Sequence, residues 1–255
     1  MKQLRLSKLL TMTGIGALAI TTALYAGIAS ADDSILPEPQ LVKDAWMLET
    51  YFEADPDAIK VVLPPGLKPH PSNTVVVNMY TVPDAANTSG FGAYTLTYIA
   101  VQVMGHDAYM VGSKDVIPGL YFVHYWNSSD TMSVYIGRAG MPNDLGGVTT
   151  MQRDTSKVTT RLTANGKPFI EATSDISGDL QAAAGGHVNY LYRKGAQLMK
   201  LPLPWICREV KSDNPTITFQ MSPDHPAYKL RPRKILAAAH ENCTISYPQA
   251  VATKP

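Results

Sequence analysis

The chain has 255 residues, with 22 Lys and Arg against 21 Asp and Glu, and its formal net charge is +1. No segment resembles the basic stripe that binding to a phosphate backbone requires, which excludes nucleic acid as an expected partner. No Pro/Ser/Gly-rich linker or charge block divides the sequence, and its length suffices for one sizeable hydrophobic core. We therefore expect a single folded domain.

The N-terminus has the features of a secretory signal peptide in their usual order. Basic residues at positions 2, 5 and 8 precede an apolar run without acidic residues, and Ala29-Ser30-Ala31 forms a small-x-small cleavage site. An uncleaved membrane anchor is the alternative, but the apolar run is short and ends in small residues. We predict a signal peptide over residues 1–31 and a mature domain over residues 32–255. The mature protein is expected to be periplasmic or secreted, without stable membrane insertion.

Strand patterns dominate the sequence from Trp46 onward. Segments rich in Val, Tyr and Thr are bounded by Gly, Pro, Asn and Asp, which indicates a mainly β, largely antiparallel protein. The predicted strands are AWMLETYFEA, NTVVVNMYTV, GAYTLTYIAVQVMG, GLYFVHYW, MSVYIGRAG, KVTTRLTANG, KPFIEATSDI, NYLYRKGA, TITFQMS and NCTISYPQ.

Side chains alternate cleanly along YTLTYIAVQV. The even-numbered residues from Tyr94 to Gln102 share one face, and the odd-numbered residues from Thr95 to Val103 share the other. Both faces are partly apolar, which is typical of a strand in a barrel or sandwich with another layer behind it.

Helical signals are few. The segment DPDAIKVVLP has Asp55 as an N-cap, Pro56 at the first helical position and Pro64 after its end, so it predicts a short helix. The segment PRKILAAAHE is compatible with a turn between strands or with a second short helix.

The chain contains two cysteines, Cys207 and Cys243. An even number of cysteines in an exported chain allows a disulfide, which would tie the PWICREV segment to the last strand, ENCTISY. The sequence leaves open whether the two Cα atoms lie within bridging distance.

Three consecutive segments carry a more specific pattern. ADPDAIKVVLPPGLKP is a short helix and a Leu-Pro turn, and VVVNMYTVPDAANTSGFGAYTLTYIAVQV is two strands around a glycine-rich turn. GLYFVHYWNSSDTMSVYIGRAGMPNDLGG follows as a hairpin with a Gly-Arg step and a Met-Pro turn. In order and spacing they resemble the acetoacetate decarboxylase family, and the likeness continues to the C-terminus. The resemblance implies a cone-shaped antiparallel β-barrel with one or two short helices, an internal active site and assembly into a homo-oligomer.

Enzymes of that family use a lysine that forms a Schiff base with a β-keto acid, and a neighbouring lysine and an apolar site lower its pKa. Their motif is Gly-Arg-Glu followed by Pro-Lys-Lys-Leu-Gly. The matching text here is GRA followed by PNDLG, so the resemblance places Asn143 and Asp144 at the two lysine positions. Neither side chain forms an imine, and imine-based decarboxylation is not expected.

The resemblance also implies that the carboxylates of the family pocket are missing. The family's glutamates fall on Asn78, Leu96 and Ala139, and its N-terminal arginine has no convincing match near Ala45 and Trp46. Because the nucleophile and its surroundings are lost together, we expect a pocket of changed chemistry.

Two side chains are candidates for other catalysis. Asp144 can act as a general base beside Arg138, with the arginine binding an anionic substrate. The alternative is a structural ion pair or a turn cap. His124 lies in the strand LYFVHYW, which lines the pocket in the family, and its alternative role is that of a core or rim residue.

The sequence thus predicts an exported barrel that binds a small, partly apolar carboxylate or keto compound. The expected ligand-binding residues are Asn78, Tyr94, Leu96, Arg138, Met141 and Asn143. One alternative is a lyase, hydratase or isomerase that acts on a keto acid by acid/base chemistry, and another is an assembly module of the envelope.

No metal and no cofactor are expected. The six histidines show no His-x-His or His-Glu-x-x-His spacing, and the two cysteines are far apart in sequence. The chain also has no Gly-x-Ser-x-Gly elbow and no phosphate-binding glycine loop before a helix.

Overall fold

The computed structural model describes residues 36–255. The predicted signal peptide and the first residues of the predicted mature domain lie outside this range. The described residues form two α-helices, α1 (Pro56–Val62) and α2 (Asp130–Ala139). Their strands are β1 (Gln40–Glu53), β2 (Thr74–Val82), β3 (Tyr94–Met110), β4 (Val116–Asn127), β5 (Gly147–Arg153), β6 (Lys157–Ala164), β7 (Lys167–Ser177), β8 (Ala184–Lys194), β9 (Gln197–Phe219), β10 (Lys234–Tyr247) and β11 (Val251–Thr253).

Seven strands close into a barrel. The neighbours follow the order β10-β1-β2-β3-β4-β8-β9, and β9 pairs back with β10. The β4–β8 pair is parallel, with Leu120 opposite Tyr190, and the other pairs along this path are antiparallel. The predicted mainly β barrel is confirmed, and the barrel is mixed rather than purely antiparallel.

A second sheet covers part of the outer face of the barrel. The 23-residue strand β9 continues past the barrel, and its second half pairs with β7, which is followed by β6 and β5. An outer core fills the space between the barrel and this sheet. It includes Leu48, Val75, Val77, Ile99 and Val101 from the barrel, and Val158, Leu162, Ile170 and Ala172 from the sheet.

The alternation predicted for β3 is confirmed. Tyr94, Leu96 and Tyr98 belong to the core inside the barrel, whereas Ile99 and Val101 belong to the outer core. Both faces are apolar because each borders its own core. Successive side chains of β3 therefore point alternately into the barrel and into the outer core.

The helix α1 is confirmed, with Pro56 at its first position. The Asp55 side chain caps it by accepting a hydrogen bond from the Asp57 N–H at 2.9 Å. No helix within residues 36–255 is long and apolar enough to cross a membrane.

The segment MSVYIGRAG, predicted as a strand, lies in helix α2. Ser129 caps the start of this helix by accepting a hydrogen bond from the Met132 N–H at 3.2 Å. Gly140 follows the last helical residue as the C-cap, and its φ of 82° lies in the left-handed region. Met132 and Ile136, one turn apart, are buried in the core inside the barrel, which we call the inner core. The cap and the helical spacing outweigh the strand preference of the residues.

The segment PRKILAAAHE, predicted as a turn or a short helix, contributes the start of strand β10. This strand pairs with β1 on one side and with β9 on the other, so it completes the barrel. Pairing with distant strands overrides the helical preference of its alanines. Strands β5 and β11 were not predicted.

A disulfide lies where β9 meets β10. Cys207 and Cys243 are register partners of these strands, their Cα atoms are 4.1 Å apart, and their sulfur atoms are bonded. The bond therefore crosses one seam of the barrel.

Candidate functional site

The barrel contains a cavity of about 270 Å³. Apolar and aromatic side chains form most of its wall, including Leu120, Phe122, Val188, Leu203, Trp205 and Ile245. The volume lies near the lower end of the range for small-molecule sites, which begins at roughly 300 Å³. The cavity therefore suits a molecule of metabolite size.

Several tyrosine hydroxyl groups lie inside the barrel. The Tyr98 hydroxyl lies 2.6 Å from that of Tyr190, and the Tyr80 hydroxyl lies 3.0 Å from that of Tyr94 and 2.7 Å from that of Tyr247. Burial raises the pKa of all five tyrosines. They remain neutral at physiological pH and can donate hydrogen bonds.

Glu49 is a carboxyl group inside the cavity, projecting from β1. It accepts hydrogen bonds from Asn78 Nδ2 at 2.6 Å, from the Tyr98 hydroxyl at 3.2 Å and from the Tyr51 hydroxyl. Burial raises its pKa, and the three hydrogen bonds oppose this effect because they stabilise the carboxylate.

A second carboxyl group in the cavity belongs to Glu241 on β10. Its register partners are Met47 on β1 and Glu209 on β9. Burial, followed by the negative charges of Glu49 and Glu209, raises the pKa of Glu241 to about 8. Burial also raises the pKa of Glu209.

The two cavity carboxyl groups differ in their hydrogen-bond environment. Glu49 has three donors, whereas residues 36–255 provide Glu241 with none, and its Oε2 lies 3.7 Å from the disulfide sulfur of Cys243. Two interacting carboxyl groups in an apolar site titrate as a pair and do not both ionise readily. The hydrogen-bond donors favour the carboxylate form at Glu49 relative to Glu241, whose pKa burial raises to about 8.

The described part of the cavity wall contains no lysine and no arginine. It therefore offers a substrate neither an amine nucleophile for a Schiff base nor a fixed positive charge for an anion. Its polar groups are acids, hydroxyl groups and amides.

One cluster has the residue types of a metal site. The potential ligand atoms of Cys207, Cys243 and Glu241 lie within 4.8 Å of one another. Both sulfur atoms belong to the disulfide, so they are not thiolates and are not metal ligands in this state.

The predicted ligand-binding residues fall into different environments. Asn78 lines the cavity and binds Glu49. Tyr94, Leu96 and Met141 are buried in the inner core without lining the cavity.

The remaining two lie in or near the helix and turn after β4. Arg138 is an exposed residue in the last turn of α2. Asn143 donates a hydrogen bond from Nδ2 to the Ser133 carbonyl oxygen at 3.1 Å. Neither residue lines the cavity.

Asp144 and His124 form a pair outside the cavity. Asp144 Oδ2 accepts a hydrogen bond from the Tyr125 N–H at 2.8 Å, and His124 Nδ1 lies 3.2 Å from Asp144 Oδ1. The His124 ring stacks on Trp126 with a centroid distance of 5.1 Å, and Trp126 belongs to the outer core. These contacts fix the turn against the barrel.

An irregularity in the β3–β4 pairing explains the position of His124. Simple alternation places it on the same face as Phe122, which lines the cavity. The register shifts, however, so that Ile99 pairs with His124 while Ala100 pairs with Phe122. The extra residue reverses the alternation, and Tyr125 points inward instead.

Sequence reasoning missed Glu49 and Glu241. A signal was available, since Glu49 alternates with Met47 and Tyr51 on one face of β1. Glu241 likewise shares a face with Cys243, two residues later in β10.

The fold and the cavity together define a closed β-barrel with an internal cavity. Residues 27–251 match the family model described as acetoacetate decarboxylase (ADC). The chain therefore belongs to the acetoacetate decarboxylase family. A comparison with curated proteins finds no match.

Several solved structures are similar to this fold. An acetoacetate decarboxylase has a TM-score of 0.69 at 15% identity, covering 90% of this chain and 96% of its own. The acetoacetate decarboxylase from Legionella pneumophila has a TM-score of 0.67 at 17% identity, with coverage of 84% and 87%. The enduracididine biosynthesis enzyme MppR, complexed with pyruvate, has a TM-score of 0.63 at 14% identity, with coverage of 86% and 91%. At these identities the likeness establishes the fold.

Proposed function

We propose that this protein binds a small, partly apolar keto compound in its barrel and forms no Schiff base with it. The observation that carries the proposal is the cavity of about 270 Å³, which has aromatic and aliphatic walls and no lysine among its described lining residues. An apolar cavity with a few converging polar groups is typical of a small-molecule site.

The polar groups favour a neutral carbonyl compound over an anionic carboxylate. A carboxylate ligand would add a negative charge next to Glu49 and Glu241, and the cavity has no lysine or arginine to compensate for it. A ketone oxygen can instead accept a hydrogen bond from the protonated Glu241 or from a tyrosine hydroxyl. The pyruvate bound to MppR is a keto acid, and the keto group is the part that this cavity suits.

Export and self-association belong to the same proposal. The N-terminal leader and the Cys207–Cys243 disulfide support an oxidising compartment, the periplasm or the exterior. A homo-oligomer is supported by an apolar patch around a shallow groove on the outer surface. Its exposed residues are Leu41, Tyr109, Val111 and Ile206. We expect the intact mass to be that of a chain that begins at Asp32. We also expect light scattering to give a mass above that of one chain.

A binding experiment tests the main proposal. Saturation-transfer NMR with cyclohexanone, 2-octanone and phenylacetone is expected to show binding of at least one ketone. The variant Val188→Phe fills the cavity and is expected to abolish binding. The matched variant Val116→Phe makes the same change on β4, where the side chain is 64% exposed, and should retain it. Absence of binding to the unmodified protein, or full binding to Val188→Phe, would contradict the proposal.

A further inference from the structure

We infer that Glu49 and Glu241 are the catalytic base and acid of an enolisation site for a neutral ketone. The expected activity is keto–enol tautomerisation, or the shift of a double bond conjugated with the ketone. This inference rests on the proposed binding function, and it assigns the acid/base role to residues other than Asp144 and His124.

Placement of the two carboxyl groups is the first argument. Glu49 lies on β1, two residues after Met47. Glu241 lies on β10 and pairs with Met47. Both side chains line the same cavity. Both carboxyl groups therefore border the space that a bound ketone would occupy.

The second argument is the difference between their environments. Asn78, Tyr98 and Tyr51 donate to Glu49, and these hydrogen bonds favour its carboxylate form, as a base requires. Glu241 has an apolar and acidic environment without a donor among residues 36–255, which favours the neutral acid. Carboxyl groups whose environments separate their protonation states are characteristic of acid/base pairs.

The reaction balances without an oxidant, a reductant or a second substrate. Glu49 removes a proton from the α-carbon, the C–H electrons form the carbon–carbon double bond, and the carbonyl π electrons move to oxygen. Glu241 delivers its proton to that oxygen, which gives a neutral enol, a protonated Glu49 and an ionised Glu241. Glu49 then returns a proton to the same carbon while the enol O–H gives its proton back to Glu241, which regenerates the ketone and both starting carboxyl groups. Return of the proton to a conjugated γ-carbon gives the isomer with the same balance.

Hydroxyl groups next to the base can share its proton. The Tyr98 hydroxyl lies 3.2 Å from Glu49 and 2.6 Å from the Tyr190 hydroxyl, so a hydrogen-bonded chain extends from the base. The other titratable groups facing the pair are Tyr51 and Glu209. Carboxyl and hydroxyl protons are exchangeable, so in D2O the groups of this chain carry deuterons and the proton taken from carbon is exchanged among them.

Deuterium exchange tests the inference. In D2O, proton NMR is expected to show loss of the α-proton signal of each ketone that binds, faster than in protein-free buffer. Glu49→Gln and Glu241→Gln should each lower the protein-catalysed rate at least about 100-fold, the lower end of general acid/base contributions, while the ketone still binds. Glu171→Gln makes the same change on β7, in the second sheet, and should leave the rate unaltered.

The outcomes separate the two proposals. Binding without catalysed exchange, or unaltered exchange in both cavity variants, would overturn the acid/base assignment and leave the binding function standing. Failure of all three ketones to bind would overturn both. If a variant does not fold, the unmodified protein supplies the second test. Burial raises the pKa of Glu241 to about 8, so the acid loses its proton above pH 8. The catalysed rate must therefore fall above this pH. A rate that does not fall rejects the assignment.

Discussion

Glu49 and Asn78 are register partners on β1 and β2, and Asn78 Nδ2 donates to Glu49 Oε1 at 2.6 Å. Asn78 occupies the position at which the family resemblance places a glutamate. The cavity therefore has its carboxyl group at Glu49 on β1. Asn78, at the position of the family's glutamate on β2, binds this group. The cavity thus holds acidic groups, and its described wall contains no lysine.

The first prediction concerns stability against pH. Burial raises the pKa of Glu241 from 4.5 to about 8 in the folded state, so unfolding releases a proton between these values. The free energy of unfolding should fall with rising pH, by at most about 1.4 kcal/mol per unit from this group. Urea unfolding between pH 6.5 and 8 measures this fall most cleanly.

His240 sets the pH range of this measurement. Burial lowers its pKa from 6.5 to about 4, which makes stability rise with pH between these values and opposes Glu241 there. Above pH 6.5 that opposing effect is complete. Glu241→Gln should reduce the fall, whereas Glu171→Gln should retain it. Equal slopes in the two variants would show that Glu241 is not protonated in the folded protein.

The second prediction concerns the disulfide. Cys207 and Cys243 are 36 residues apart, and closing a loop of this length in the unfolded chain stabilises a protein by about 3–4 kcal/mol. The double variant Cys207→Ala/Cys243→Ala should lose stability of this order in urea unfolding. Addition of a reducing agent should destabilise the unmodified protein but not the double variant. Insensitivity of both proteins would contradict a stabilising role.

The third prediction concerns Asp144. Its carboxylate accepts a hydrogen bond from the Tyr125 N–H and contacts His124, so Asp144→Ala should cost about 1–3 kcal/mol of stability. Ketone binding should remain, because the side chain lies outside the cavity. Asp115→Ala, at an exposed position, is the control and should change stability by less than about 0.5 kcal/mol. Loss of ketone binding with unaltered stability would place Asp144 in the site.

The sequence predicts the barrel better than the site because the two depend on different information. Alternation along β3 and the cap at Asp55 are local, and both appear in the structure as predicted. The inward or outward direction of His124 depends on an irregularity in the pairing of β3 with β4, which local alternation does not reveal.

The carboxyl pair depends on contacts across the whole chain. Glu49 and Glu241 come together because β1 pairs with β10, near opposite ends of the domain. The family resemblance places the catalytic lysines and glutamates on β2, β3 and the turn after α2, but other residues stand at those positions. Only the closed barrel shows that two acids from other strands enter the same cavity.

The most direct test of the central claim is borohydride trapping followed by intact mass measurement. The protein is incubated with acetoacetate and, in parallel, with a neutral ketone that it binds, then reduced with sodium borohydride and weighed. A lysine-dependent decarboxylase of the family is the positive control. The cavity wall described here has no lysine, so the mass should remain that of the unmodified chain while the control gains the reduced adduct. A stoichiometric adduct on a lysine of this protein would contradict the claim that its barrel works without a Schiff base.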